Sequence, residues 1–158
     1  MNTVDQYAGE RLKRTHFHPR AAELNIREAW AAWNGYKFAE CYYDGEYEYF
    51  CIRNMCATYD SCPMQKYYVE GADAEAMLNR MVTRDVKKLG LNRVMYTVWC
   101  TDEGRVVDDG TIFNLAEDKF MVTCGSPCNA WLRLSAFGFD DVTITDMSDE
   151  IAALAFQG

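Results

Sequence analysis

"RVMYTVWCTDEGRVVDDGTIFNLAEDKFMVTC", Arg93 to Cys124, is the stretch whose reading decides the fold. It divides into three apolar-rich runs punctuated by Thr101-Asp102-Glu103-Gly104 and Ala116-Glu117-Asp118-Lys119, so it predicts three strands joined by tight turns, an antiparallel meander. Within the second run, Asp108 and Asp109 stand side by side between Val106, Val107 and Ile112, Phe113. Successive side chains of a strand face opposite ways, so the two acids cannot both reach solvent if one sheet face is packed. One of them then needs a partner, a raised pKa or a ligand. A short loop at Asp102-Glu103-Gly104 would bring Asp109 level with Tyr96 or Thr97, placing a carboxylate near a phenol in a partly apolar setting.

Outward from the meander, "QKYYVEG" predicts a strand and "ADAEAMLNRMVTRDVKKLG" an amphipathic helix with Asp73 as its N-cap. "SPCNAWLRLSAFGF" predicts a helix opening at Ser126-Pro127, and "DDVTITDMSDEIAALAFQG" adds a strand, a break at Met147-Ser148-Asp149 and a final apolar run. Toward the amino terminus, residues 1 to about 15 lack apolar periodicity and predict a loose arm. "HPRAAELNIREAWAAWNGYKF" predicts a short helix stopped by Asn34-Gly35, "YKFAECYY" a strand, and "EYEYFCIRNMCATYD" a helix running toward Asp60. Helices and strands do not strictly alternate. The expected class is therefore α+β with a largely antiparallel sheet and flanking helices.

Composition narrows the function. The 158 residues, 49% hydrophobic, supply one ordinary core's worth of apolar material. With 24 acids against 16 bases the net charge is -8, which argues against a nucleic-acid or anionic-membrane surface. No apolar run approaches membrane-spanning length and the first twenty residues lack the apolar core of a secretory signal, so the expected compartment is the cytoplasm. Seven cysteines, an odd number, read as reduced thiols used as small hydrophobes, and none of their spacings gives a paired CxxC zinc site. His16 and His18 have no third ligand near them in sequence, so no metal is expected.

"YDSCPMQKYYVEGADAEAMLNRMVTRDVKKL", Tyr59 to Leu89, followed by the meander, resembles the aminomethyltransferase family of the glycine cleavage T-protein and its folate-dependent demethylase relatives. The resemblance runs from about Trp30 to Gly158, and "ALAFQG" looks like a family segment after which the chain normally continues for more than its own length. It implies the amino-terminal part of a three-subdomain folate-binding fold: residues 1–64 with 140–158 as an incomplete first subdomain, 65–139 as a second α+β subdomain, and the third absent. It implies tetrahydrofolate as cofactor and one-carbon (aminomethyl or methyl) transfer as the reaction, with Asp109 as the acid contacting folate near the reacting amine. Tyr96, Met64 and Cys124 then complete the cofactor contacts, Cys124 standing where the family has asparagine, while Asp108 keeps a structural hydrogen bond. "YDSCPM" in place of "FDVSHM", and Gly35-Tyr36 in place of glycine-tryptophan, resemble the demethylase-like or uncharacterised branches more than the true glycine cleavage enzyme. The implied partner is a small one-carbon donor, joined by a carrier protein only in a true glycine cleavage enzyme. Without the remaining subdomains the chain alone is expected to be inactive, and a folate-binding regulatory or assembly module without transfer is the alternative.

Overall fold

A computed structural model describes residues 11–158, so most of the expected amino-terminal arm lies outside the described residues. The described residues divide into two compact units, residues 11–63 with 151–158, and residues 64–150.

In the first unit, β1 (Lys13–Arg14) pairs in parallel with β3 (Tyr36–Cys41), which pairs antiparallel with β2 (Ala29–Trp33). Helix α1 is confined to His18–Leu24, with Pro19 in its first turn, where a missing N–H costs nothing. The expected helix through Trp33 is therefore half strand. Asn34 and Gly35 both carry positive φ, 48° and 79°, as a primed hairpin turn requires, so they join two strands instead of ending a helix. Helix α2 (Gly45–Asn54) is capped by Asp44, whose carboxylate accepts the Tyr47 N–H at 2.9 Å. β4 (Ala57–Asp60) follows, and its antiparallel partner is the last strand of the chain. His18 does not hang in solvent as a terminal residue would. It is 8% exposed and its ring lies 4.9 Å from that of Trp30.

The second unit is a five-stranded sheet covered on one face by helices. In chain order its elements are β5 (Gln65–Glu70), α3 (Ala74–Met81), β6 (Val94–Cys100), β7 (Val106–Ala116), β8 (Lys119–Cys124), α4 (Asn129–Ser135) and β9 (Thr143–Asp146). Spatially the strands run β6-β7-β8-β5-β9, every neighbour antiparallel, so the α+β class and the meander are as read from sequence. Because β9 pairs with β5, residues 140–150 belong to this unit and the chain returns to the first unit only at Ile151, later than the expected boundary at residue 140. There β10 (Leu154–Gln157) joins β4.

Alternation along each strand builds the core. Tyr67 and Val69 of β5, Trp99 of β6, Ile112 of β7 and Phe120, Val122 and Cys124 of β8 pack with Met77, Leu78 and Leu132 of the helices. Asp73 precedes α3 but does not cap it through its side chain; the carboxylate instead accepts the N–H groups of Asp140 and Asp141 and ties that loop down. Helix α4 starts three residues later than Ser126, with Cys128 at its N-cap position.

Candidate functional site

Hairpin β6–β7 sets the acid pair, and a bulge decides which acid faces which side. Cys100 pairs with Val106, but Trp99 pairs with Asp108, so one extra residue enters β7 between them. Without the bulge Asp109 would oppose buried Thr97. With it, Asp109 opposes Val98 and Asp108 opposes Trp99. Asp109 thus joins the sheet face that carries Tyr96 and Val98, and Asp108 joins the face that carries the core. Tyr96 itself opposes Thr111, so the phenol reaches Asp109 diagonally. Its Oη donates to Asp109 Oδ2 at 2.8 Å. That bond to a carboxylate holds the Tyr96 proton, raising its pKa above the ordinary 10.

Both members of this pair are exposed, Tyr96 at 57%, so Asp109 is not the acid packed against apolar surface. That acid is the half-buried Asp108, whose burial is offset by two backbone donors: Oδ1 accepts the Asp109 N–H at 2.8 Å and Oδ2 the Ser126 N–H at 3.1 Å. Asp108 therefore anchors the turn after β8 and the backbone of its neighbour together.

Met64 lies one residue before Gln65, which pairs with Cys124, itself paired with Gly110 next to Asp109. It is half-buried, and its carbonyl accepts the Lys66 ammonium at 2.8 Å. Cys124 departs from expectation. It is wholly buried on the helix-covered face, its thiol 3.1 Å from that of Cys128, because alternation aims it away from the face of Asp109 and Tyr96. The structure thus brings Tyr96 and Asp109 together, leaves Met64 at the same end of the sheet, and separates Cys124 from them.

Two features were not anticipated from sequence. Thr111 and Thr123 oppose one another on the face of Tyr96, their hydroxyls 2.6 Å apart, and Lys66, only 2% exposed, occupies the same face of β5. Correct strand register would have revealed both. Gly110 keeps the row beside Asp109 flat: a Cβ there would run into Thr123 O and lie 3.2 Å from Trp99 Cη2. Among the described residues no group of three or more His, Cys, Asp or Glu side chains could hold a metal, and no helix is long and apolar enough to cross a membrane.

The α+β fold that carries this carboxylate–phenol pair on one sheet face is that of the aminomethyltransferase T-protein class. Residues 20–158 match the family described as the GCVT N-terminal domain, and the chain belongs to that family. Similar curated proteins are an aminomethyltransferase of Anoxybacillus flavithermus, 30% identical over 93% of this chain and 40% of its own length, and one of Clostridium botulinum, 34% identical over 71% and 31%. A trimethylamine-oxide aldolase of Ruegeria pomeroyi is 34% identical over 78% of this chain but only 16% of its own length. The fold is that of the glycine cleavage system aminomethyltransferase T of Bartonella henselae, with a TM-score of 0.80, 24% identity, and coverage of 94% of this chain and 41% of that one. The chain therefore spans well under half the length of these relatives.

Proposed function

We propose that the chain supplies part of a tetrahydrofolate site for one-carbon transfer, in which Asp109 is the catalytic acid and Tyr96 and Met64 contact the cofactor. The observation that carries this reading is the Tyr96–Asp109 bond of 2.8 Å on the sheet face not covered by helices. One carboxylate oxygen is held by the phenol, and the other has no hydrogen bond among the described residues. It is thus available to accept N–H groups of a ligand. Val94, Val98 and Phe113 on the same face give a flat aromatic ring apolar surface to lie against. That donor and acceptor set fits a reduced pterin; Cys124, on the other face, takes no part.

Tetrahydrofolate, when bound, supplies the nitrogen that accepts the one-carbon unit. Tyr96 fixes the carboxylate of Asp109 in one orientation, and the carboxylate provides negative charge where positive charge develops on nitrogen. Asp108 acts one step removed, holding the backbone of Asp109 and the Ser126 turn in place. The donor is read as a small amine or methylated compound.

The test is an equilibrium titration of the chain with tetrahydrofolate, followed by incubation with glycine-derived and methylated amine donors and mass analysis of the folate. Formation of one-carbon-loaded folate supports a transferase, and binding without loading supports the folate site alone. Absence of binding overturns the folate reading itself.

A further inference from the structure

The cysteines were read as inert core residues, but two of them are placed for chemistry with each other. Cys124 ends β8 and Cys128 precedes α4, and the Gly125-Ser126-Pro127 turn folds their sulfurs to 3.1 Å. A disulfide needs about 2.05 Å between sulfurs, so closure requires a movement of about 1 Å across a three-residue turn. Ordinary side-chain rotation and a small shift of the turn suffice for that.

We propose that Cys124 and Cys128 form a reversible redox pair, closing to an intrachain disulfide when a low-molecular-weight disulfide such as oxidised glutathione is in excess. The thiolate of Cys128 attacks one sulfur of the oxidant, forming a mixed disulfide and releasing one glutathione thiolate. The thiolate of Cys124 then attacks the Cys128 sulfur and releases the second glutathione. The protein loses two protons and two electrons, and the oxidant gains both as two thiols. The order follows from accessibility, since Cys128 is 5% exposed and Cys124 is 0% exposed. Hydrogen bonding to Cys128 and burial both push the Cys124 thiol up, so it stays protonated in the closed core and its attack on the Cys128 sulfur waits for the turn to admit solvent. Attack at a site this buried waits for the turn to open, so the reaction is slow.

Closure acts on a defined place. The same turn presents the Ser126 N–H to Asp108 Oδ2 and the Ser126 carbonyl to the Cys124 thiol at 3.1 Å, so oxidation removes the second of these bonds and strains the first. The redox state is thereby written into the end of the sheet that bears Asp108. Bond formation itself does not depend on the folate reading.

Trypsin releases Phe120 to Arg133 as one peptide containing both cysteines and no others. The native chain is equilibrated with a glutathione redox buffer, quenched by alkylation, and digested. The expected product is this peptide two hydrogens lighter and unalkylated, reverting to two alkylated thiols after dithiothreitol. At equal buffer composition, the closed-to-open ratio in the native chain should exceed that in urea by about tenfold or more, because the fold presets the contact. Cys124→Ser should stop at the Cys128–glutathione mixed disulfide. Two alkylatable thiols in the native chain while exposed Cys56 is modified, or more complete closure in urea than in the native chain, would overturn the proposal.

Discussion

Gly110→Ala tests whether the flat row beside Asp109 depends on the absence of a side chain. Gly110 pairs with Thr97 on one side and Cys124 on the other, so it sits in a central strand where neither neighbour can withdraw without breaking a ladder. An alanine Cβ would collide with Thr123 O, lie 3.0 Å from Thr123 C and lie 3.2 Å from Trp99 Cη2. Overpacking of this kind costs about 1–3 kcal/mol, and a clash with backbone belongs at the upper end, about 3 kcal/mol. For a unit of this size each kcal/mol lowers the midpoint by about 4 °C or more, so the loss should reach about 12 °C. Gly104→Ala is the control: its φ is +78° but nothing lies within 4 Å, so only backbone strain of about 1–2 kcal/mol is expected. Thermal unfolding is followed by tryptophan fluorescence, to which Trp99 contributes from its wholly buried position beside the substitution. A Gly110→Ala midpoint equal to or above that of Gly104→Ala would refute the close-approach reasoning.

Further outcomes follow from the same geometry. Asp108→Ala deprives the Asp109 and Ser126 N–H groups of their acceptor and should cost about 1–2 kcal/mol in urea unfolding, with Asp108→Asn milder because one acceptor oxygen survives; equal midpoints for Asp108→Ala and the parent would show that these bonds contribute nothing. His18 has its pKa lowered below 6.5 by burial first and then by Arg14 and Lys37, so protonation is disfavoured in the folded state. Its contribution to stability is present above pH 6.5 and is lost as pH falls through the lower folded value. His18→Phe should flatten the decline in urea midpoint below pH 6.5, and an unchanged slope would count against the assignment.

The meander was legible because its turns carry their own chemistry: Gly104 and Asp118 adopt positive φ, 78° and 56°, where the sequence places turn residues. Ala29–Trp33 was not, since alanine and tryptophan at every position satisfy a helical period and a strand period alike. What decided there was the Asn34-Gly35 turn, whose primed-hairpin signature outweighs the helical spacing before it. At the site, Tyr96 and Asp109 were paired through family resemblance and approximate register, but the bulge at Trp99/Cys100 that turns Asp109 toward Tyr96 leaves no mark in the sequence. Cys124 was misplaced for a related reason. Motif position fixes where a residue lies along the strand, whereas its face follows from strict alternation, and alternation sends Cys124 into the core with Val122 and Phe120. Asp73 was read as a local cap, yet its acceptors are used by a loop 67 and 68 residues away, a tertiary preference that local sequence does not encode.

The most direct measurement of the central claim is a tetrahydrofolate titration of the chain followed by NMR, with the ring signals of Tyr96 and the amide of Asp109 assigned, and repeated on Asp109→Asn. The account predicts that these two residues shift on addition of ligand and that Asp109→Asn weakens binding by about tenfold or more, the cost of losing a charged hydrogen bond, with its unfolding midpoint unchanged. Shifts confined to other residues, or equal affinity in Asp109→Asn and the parent, would contradict it.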